Sequence, residues 1–439
     1  MKKLLMVLTG FLFLAGCSTT AVMKNPLGDG AGGSRLTLEQ KLEAEGFPYA
    51  RSAQPVMYDS GQIWMERLID LVDSAQDSIV IVTFLASESD AIQPLYDALA
   101  RKAEEGVDIW LMYDGVSYMD QTEGRWTMRS IRRLEKNGVH IFEFNPVTVS
   151  RLPGALSLIV RDHRKLYVVD GQQVIVGGMN MNHTSLATTS DEQHDLMFEF
   201  ISPQLATAVL EDFRQQWNQL SWDVIHADRF TGLSSLPSSH DDTDVGTEGD
   251  SGTREMSDLW LFNQDKVGEP VLSVAFGTLF AQAKETILLT PLFPIFDRNM
   301  QEAIKDAVAR GVRVVVVPSY DKVALNRRAT EYAASMILSL GAELYIDTGS
   351  DGELPPLLHD KLMIVDDTYV LVGSANYNYR SLNLSKELSV IIKDEAFARE
   401  MSRHFQGIID RSRRISEEEA LQWRNFITWF SYVMSYAGA

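Results

Sequence analysis

Two stretches of the chain carry the same four residue types at the same spacing. His163, Lys165, Asp170 and Asn180 form one set and His359, Lys361, Asp366 and Asn376 the other: Lys two after His, Asp seven after, Asn seventeen after. An imidazole can attack as a nucleophile or carry a proton near neutral pH. An ammonium group beside it stabilises an anion, and a side-chain amide adds a neutral donor. Two copies of one such set nominate a single site built from paired halves, with a nucleophile, an acid and a positive cradle. Coincidence is a poor explanation for a repeat in both type and order.

The spacing resembles the twin HKD motif of the phospholipase D superfamily, in which two such halves form one site for breaking and making phosphodiester bonds. The resemblance implies a phosphohistidine mechanism in which one imidazole attacks phosphorus while the other protonates the departing alkoxide. As in much of the family, His163 is expected as nucleophile and His359 as acid. A phosphodiester is anionic, so Lys165 and Lys361 suit its non-bridging oxygens. Asn180, Asn376 and the hydroxyl of Ser374 are expected to add neutral donors to that cradle. The first copy has Gly178 where the second has Ser374, so the cradle is asymmetric. Asp170 and Asp366 each follow an apolar run and open a turn (VVDGQQ, IVDDTY), which reads as a structural role.

A catalytic imidazole needs its far nitrogen held by an acceptor. Glu387, before LSVII, stands where the family places that carboxylate. Matching strand to strand gives Asp195, before LMFEF, as the first-half equivalent; counting residues gives Asp191. Asp195 is preferred, because a loop insertion is easier than a shifted strand. Neither His194, beside Asp195 and placed to line the pocket, nor His183 has a repeat partner, and both read as non-catalytic. His140, His226, His240 and His404 show no metal-ligand spacing, and no metal or other cofactor is implied. Arg380-Ser381, the approach RDHRK at Arg161–Lys165 and TPLFP at Thr290–Pro294 resemble the cardiolipin synthase branch, although Ser385 stands where that branch has Asn.

The elements that must position these residues also repeat. DSIVIVTFLA, a helical stretch ending in Gly-Val, DIWLMYDG, a helix, a Gly turn and the first motif strand recur as ETILLTPLFP, a helical stretch ending in Gly-Val, RVVVVPSYD, a helix, a Gly turn and the second. Short apolar runs alternating with helix-length amphipathic segments predict α/β units. The expected fold is therefore two duplicated phospholipase-D-like α/β sandwich domains related by a pseudo-twofold axis. Their expected limits are 45–232 and 258–439, joined by an acidic, disordered Ser/Asp/Gly-rich linker at 233–257.

Residues 1–16 read as an export signal, basic at its start and then apolar. Leu14-Ala15-Gly16-Cys17 resembles a bacterial lipobox, which implies cleavage before Cys17, lipidation of this lone cysteine and a tether over 17–44. Ser18 after the cysteine favours the periplasmic face of the outer membrane by the family pattern. The net charge of -20 disfavours nucleic acid as a partner. Trp423, Phe426, Trp429, Phe430, Tyr432 and Tyr436 give the C-terminus an aromatic helix, either packed on the second domain or lying at a lipid interface. Together these features point to a lipid-anchored phosphatidyltransferase of cardiolipin-synthase type, with a phospholipid such as phosphatidylglycerol as substrate. The rival expectations are a hydrolytic phospholipase D or head-group exchanger, a nuclease, and a non-catalytic envelope scaffold.

Overall fold

Runs such as Ser78–Thr83 and Leu362–Val365 are rich in Val and Ile and buried at every position, so both faces of each strand must be covered. A computed structural model shows how, over residues 36–119, 128–147, 160–186, 193–230, 256–266, 269, 271–349 and 354–438. Two mixed sheets lie face to face. The first runs Val56–Tyr58, Met197–Ile201, Gln173–Gly177, Leu166–Val169, Ser78–Thr83, Asp108–Asp114, His140–Phe144. The second repeats that order from its second strand: Met256–Gln264, Ser385–Lys393, Tyr369–Gly373, Leu362–Val365, Thr286–Leu289, Arg313–Val316, Glu343–Ile346. In each sheet an antiparallel motif hairpin sits beside three parallel strands. The fold is two repeats of mixed α/β architecture, as the repeated strand order shows.

One core fills the space between the sheets. Val80, Val82, Leu166 and Val168 face it from the first, Leu362, Ile364, Val390 and Ile392 from the second. The equivalent helices Pro203–Leu220 and Glu395–Asp410 add Phe213, Trp217, Phe397 and Phe405 to the same core. Alternate strand residues face outward: Ile79 and Ile81 meet helices Gly61–Ser74 and Gln93–Glu104, while Met363 and Val365 meet Val271–Gln282 and Arg298–Ala309. A shared core of this kind holds the two motif hairpins at a fixed mutual position.

The limits differ from those read in the sequence. Helix Leu38–Ala44, expected as the end of a tether, is folded by a capping box at Thr37 and buries Leu38 and Leu42 in the second half's outer core. Strand Tyr49–Ala53, expected in the first domain, pairs antiparallel with Met256–Gln264 of the second sheet. Strand Met256–Gln264 also begins inside the expected linker. The aromatic C-terminus is two helices, Glu417–Gln422 and Phe426–Gly438, because the Asn425 carboxamide caps a new start by accepting from the Ile427 and Thr428 N–H groups. Trp423 packs on the second core and Tyr432 against Tyr332, whereas Phe426, Trp429 and Phe430 are exposed. Among the described residues no helix is long and apolar enough to cross a membrane. The signal, Cys17, nearly all of the linker, Asp191 and His240 lie outside the described residues.

Asp170 and Asp366 close the two motif hairpins in left-handed conformation, at φ 48 and 53. The Asp170 carboxylate accepts from the backbone N–H groups of Gln76, Asp77 and Ser78 at 2.8–3.0 Å; that of Asp366 accepts from Lys284, Glu285 and Thr286 at 2.8–2.9 Å. Each pins its hairpin to the start of the neighbouring central strand. Asp366→Ala removes all three acceptor contacts and is expected to cost about 2–4 kcal/mol, read as a lower denaturation midpoint. Asp366→Asn, which keeps one carbonyl acceptor and tolerates the left-handed turn, should fall between. A midpoint unchanged in the alanine variant would contradict this anchoring.

Candidate active site

Hairpin geometry explains the motif spacing. In extended chain, residues two apart face the same side, so His163 and Lys165 enter the strand Leu166–Val169 together. After the turn at Asp170, strand Gln173–Gly177 returns alongside and delivers Asn180 beside them. Strands Leu362–Val365 and Tyr369–Gly373 do the same for His359, Lys361 and Asn376.

The halves are stitched at these lead-in segments. Arg161 and Asp162 pair in parallel with Ser385 and Lys386, and the His163 N–H donates to the Lys386 carbonyl at 2.9 Å. On the other side His194 bridges Leu358, and the His359 N–H donates to the His194 carbonyl at 2.7 Å. The side chains cross over accordingly. His163 Nδ1 lies 3.1 Å from the Glu387 carboxylate, and His359 Nδ1 lies 2.5 Å from that of Asp195. Each imidazole is thus held by the carboxylate of the opposite half.

The two carboxylates are not equivalent. Glu387, fully buried within strand Ser385–Lys393 rather than before it, accepts from the Ser374 hydroxyl at 2.5 Å and the Ser381 hydroxyl at 2.7 Å. Burial nevertheless pushes it up to about 7. Asp195 is also buried and pushed up by burial, but the charges of Lys361 and His359 outweigh that and hold it below the usual carboxylate range. Its Oδ1 accepts from the Leu196 N–H at 2.8 Å. A Cβ on Gly178 would lie 2.1 Å from that oxygen, so only glycine leaves room for the shorter acid. This corrects the role expected for Ser374: its hydroxyl is not aimed at a substrate but spent on Glu387 and on the Leu388 N–H. Ser381 also accepts from the Asn376 N–H, which joins carboxylate and amide in one network.

Positive charge is concentrated here despite the acidic whole. Lys165 Nζ donates to the His163 carbonyl at 2.6 Å and lies 5.1 Å from the centre of the Phe84 ring, against which the His163 ring also packs. Lys361 Nζ donates to the His359 carbonyl at 2.5 Å and stands 3.6 Å from Asp195. Burial and then the Lys361 charge push Lys165 down to about 7. Burial, reinforced by Lys165, Lys361, His359 and Arg380, holds His163 well below the usual imidazole range. His359 is lowered by burial and by Lys361, with Asp195 opposing. Asn180 and Asn376 are buried, and in both copies the amide oxygen has no partner. Buried cations facing one another form a cradle for an anion, to which the carboxamide N–H groups, not the unpaired oxygens, can donate.

Phe84 leaves no mark in the repeat, where Leu292 stands opposite it, and the hold of Ser381 on Glu387 is a contact that the sequence does not show. His194 and His404, which show neither a repeat partner nor a metal-ligand spacing in the sequence, come together in the fold. Their imidazoles flank the buried Asp360, the three ligand atoms all lying within 4.8 Å of one another.

A family model described as cardiolipin synthase, PLD-like domain, matches residues 68–217 and 278–409. The major cardiolipin synthase of Bacillus subtilis is 27% identical over 368 residues, covering 82% of this chain and 70% of that protein. Cardiolipin synthase 2 of Staphylococcus epidermidis is 26% identical over 381 residues, covering 85% and 71%. Among solved structures, a phosphatidylserine synthase of Haemophilus influenzae superposes with a TM-score of 0.68 at 15% identity, over 91% of this chain and 96% of that one. The polyphosphate kinase of Porphyromonas gingivalis gives 0.53 at 13% identity, over 83% and 48%.

The unequal carboxylate supports make two variants informative. Gly178→Ala forces Asp195 off His359 and is expected to lower turnover at least a hundredfold with the fold retained, read as kcat beside a circular dichroism spectrum. Ser374→Ala withdraws a donor from the ionised form of Glu387, so its pKa rises above about 7 and the ionised fraction at neutral pH falls. The acid-side limb of the pH–rate profile should move to higher pH. A limb that stays in place would show that Glu387 ionisation does not govern the reaction.

Proposed function

Because this chain belongs to the family of cardiolipin synthases with a phospholipase-D-like domain, we propose that it is a phosphatidyltransferase working through phosphohistidine. A phospholipid donor places its phosphodiester between the two halves, with Lys165, Lys361, Asn180 and Asn376 around the non-bridging oxygens. His163 Nε2 attacks phosphorus while His359 delivers a proton to the departing alkoxide, releasing the head-group alcohol. His359, now neutral, takes the proton of an incoming alcohol whose oxygen attacks phosphorus, and the bond to His163 breaks. With a second phosphatidylglycerol as acceptor, the product is cardiolipin and the released alcohol is glycerol.

The observation that carries this reading is the crossed pairing of the two histidines with unequal carboxylates. A nucleophile must be neutral, and His163 is held well below the usual imidazole range. An acid must carry a proton when substrate is bound, and His359 has the ionised Asp195 against its Nδ1. The negative phosphodiester raises the proton affinity of both rings, and at His359 it adds to the pull of Asp195 against burial and against Lys361, whose Nζ lies 2.8 Å from the same Nδ1. Glu387, pushed up to about 7, supports a positive ring less strongly. Lipid as substrate also fits the reading of Cys17 as a lipid anchor at the periplasmic face of the outer membrane, and no nucleic-acid partner is proposed for so acidic a chain.

The test is to incubate the purified chain with labelled phosphatidylglycerol vesicles and separate the lipids. Cardiolipin with equimolar glycerol is expected, abolished in His163→Ala and in His359→Ala. Phosphatidic acid alone would assign the chain as a hydrolytic phospholipase D instead. No turnover of any phospholipid would overturn the assignment.

A further inference from the structure

We propose that His194, Asp360 and His404 form a binding site for a divalent transition-metal cation of the zinc class, set in the seam between the two halves. His194 comes from the first half, Asp360 and His404 from the second. His194 Nδ1 stands 2.9 Å from Asp360 Oδ1, and His404 Nε2 stands 3.0 Å from Asp360 Oδ2. The three ligand atoms all lie within 4.8 Å of one another, and the imidazole centroids are 5.4 Å apart. Ligands at ~2.0–2.2 Å from a tetrahedral ion sit roughly 3.3 Å from each other, so small ring rotations bring this set onto one cation. Two imidazoles and one carboxylate suit zinc and its neighbours, while calcium and magnesium prefer oxygen alone.

This site is separate from the catalytic pair. Neighbouring residues in extended chain point to opposite sides, and the His194–Leu358 bridge makes both segments extended. Asp195 and His359 face each other on the substrate side; His194 and Asp360 face each other behind it. A cavity of about 800 Å³ is lined by His194, Tyr320, Asp347 and Arg411, so one ligand of the set borders open space. Asp360 is fully buried, whereas the side chains of His194 and His404 remain 28% and 11% exposed.

The duplicated fold contains its own comparison. One residue after the other motif histidine stands Arg164, where the second copy has Asp360. Its guanidinium is neutralised by Asp162 through Nε at 2.8 Å and Nη2 at 2.5 Å, and also reaches Gln216 and Asn263. That seam is closed by side chains of opposite charge, and no imidazole is among these partners of Arg164. The second seam replaces this with an acid between two imidazoles from different halves, a set that can clamp a cation and through it fix the mutual position of His194-Asp195 and His359-Asp360. The proposal does not depend on the transferase reading.

The test uses the full purified chain without a histidine tag, stripped of metal. Titration with Co²⁺ is expected to develop visible d–d bands that saturate at one equivalent and vanish on adding Zn²⁺. Zn²⁺ should also raise the denaturation midpoint. His404→Gln retains an N–H donor for Asp360 but no imidazole, and is expected to lose bands and stabilisation together, as is His194→Gln; His163→Ala should keep both. X-ray absorption of the Zn²⁺-loaded unmutated chain needs no variant and should show imidazole scattering at ~2.0 Å. Absence of saturable Co²⁺ uptake, spectra unchanged in both glutamine variants, or no imidazole scattering would each overturn the proposal, leaving a metal-free hydrogen-bonded clasp.

Discussion

The crossed contacts between imidazole and carboxylate constrain everything around them. His163 depends on Glu387 and His359 on Asp195, and in both cases the partner belongs to the other half of the chain. Neither half can therefore hold its own histidine in register, and the site exists only when the two sheets are joined. The shared core with its two inward helices, the parallel pairing of Arg161–Asp162 with Ser385–Lys386, and the His194–Leu358 bridge all serve that joint. A buried carboxylate left without its imidazole would be costly, so the same contacts that prepare the chemistry also hold the interface together.

Duplication supplies two copies of one scaffold, and small departures from symmetry make their roles differ. Gly178 admits the short Asp195 against the backbone; Ser374 and Ser381 hold the longer Glu387 through hydroxyls. One carboxylate remains ionised below its usual range while the other is pushed up to about 7. Two histidines in like motifs thus acquire different proton affinities without any change in the motif itself. Lys165 and Lys361, both lowered by burial, are ready to regain charge affinity when an anion arrives.

Much of this was legible in the sequence because hairpin geometry leaves a fixed numerical trace. The His-to-Lys spacing of two comes from strand alternation, and the His-to-Asn spacing of seventeen from a hairpin of fixed length, so the residues announce themselves. The choice of Asp195 over Asp191 rested on strand matching, and Asp195 is the acid that lies against His359. What depends on contacts between distant segments left no such trace. The diversion of Ser374 to Glu387, the packing of Phe84 on His163, the passage of Tyr49–Ala53 into the second sheet, and the meeting of His404 with Asp360 are all set by tertiary packing. None has a local periodicity or spacing that a reading along the chain could detect.

The central claim is that the two halves divide one phosphoryl-transfer cycle between a neutral nucleophile and a carboxylate-backed acid. It is tested most directly by rapid mixing with phospholipid, alkaline quench to preserve phosphohistidine, and peptide mass spectrometry. The phosphatidyl group is predicted on His163, in the native chain and, accumulated to a higher level, in His359→Asn with an activated donor that needs no acid. Label on His359, or no histidine-bound phosphorus while turnover proceeds, would contradict the account.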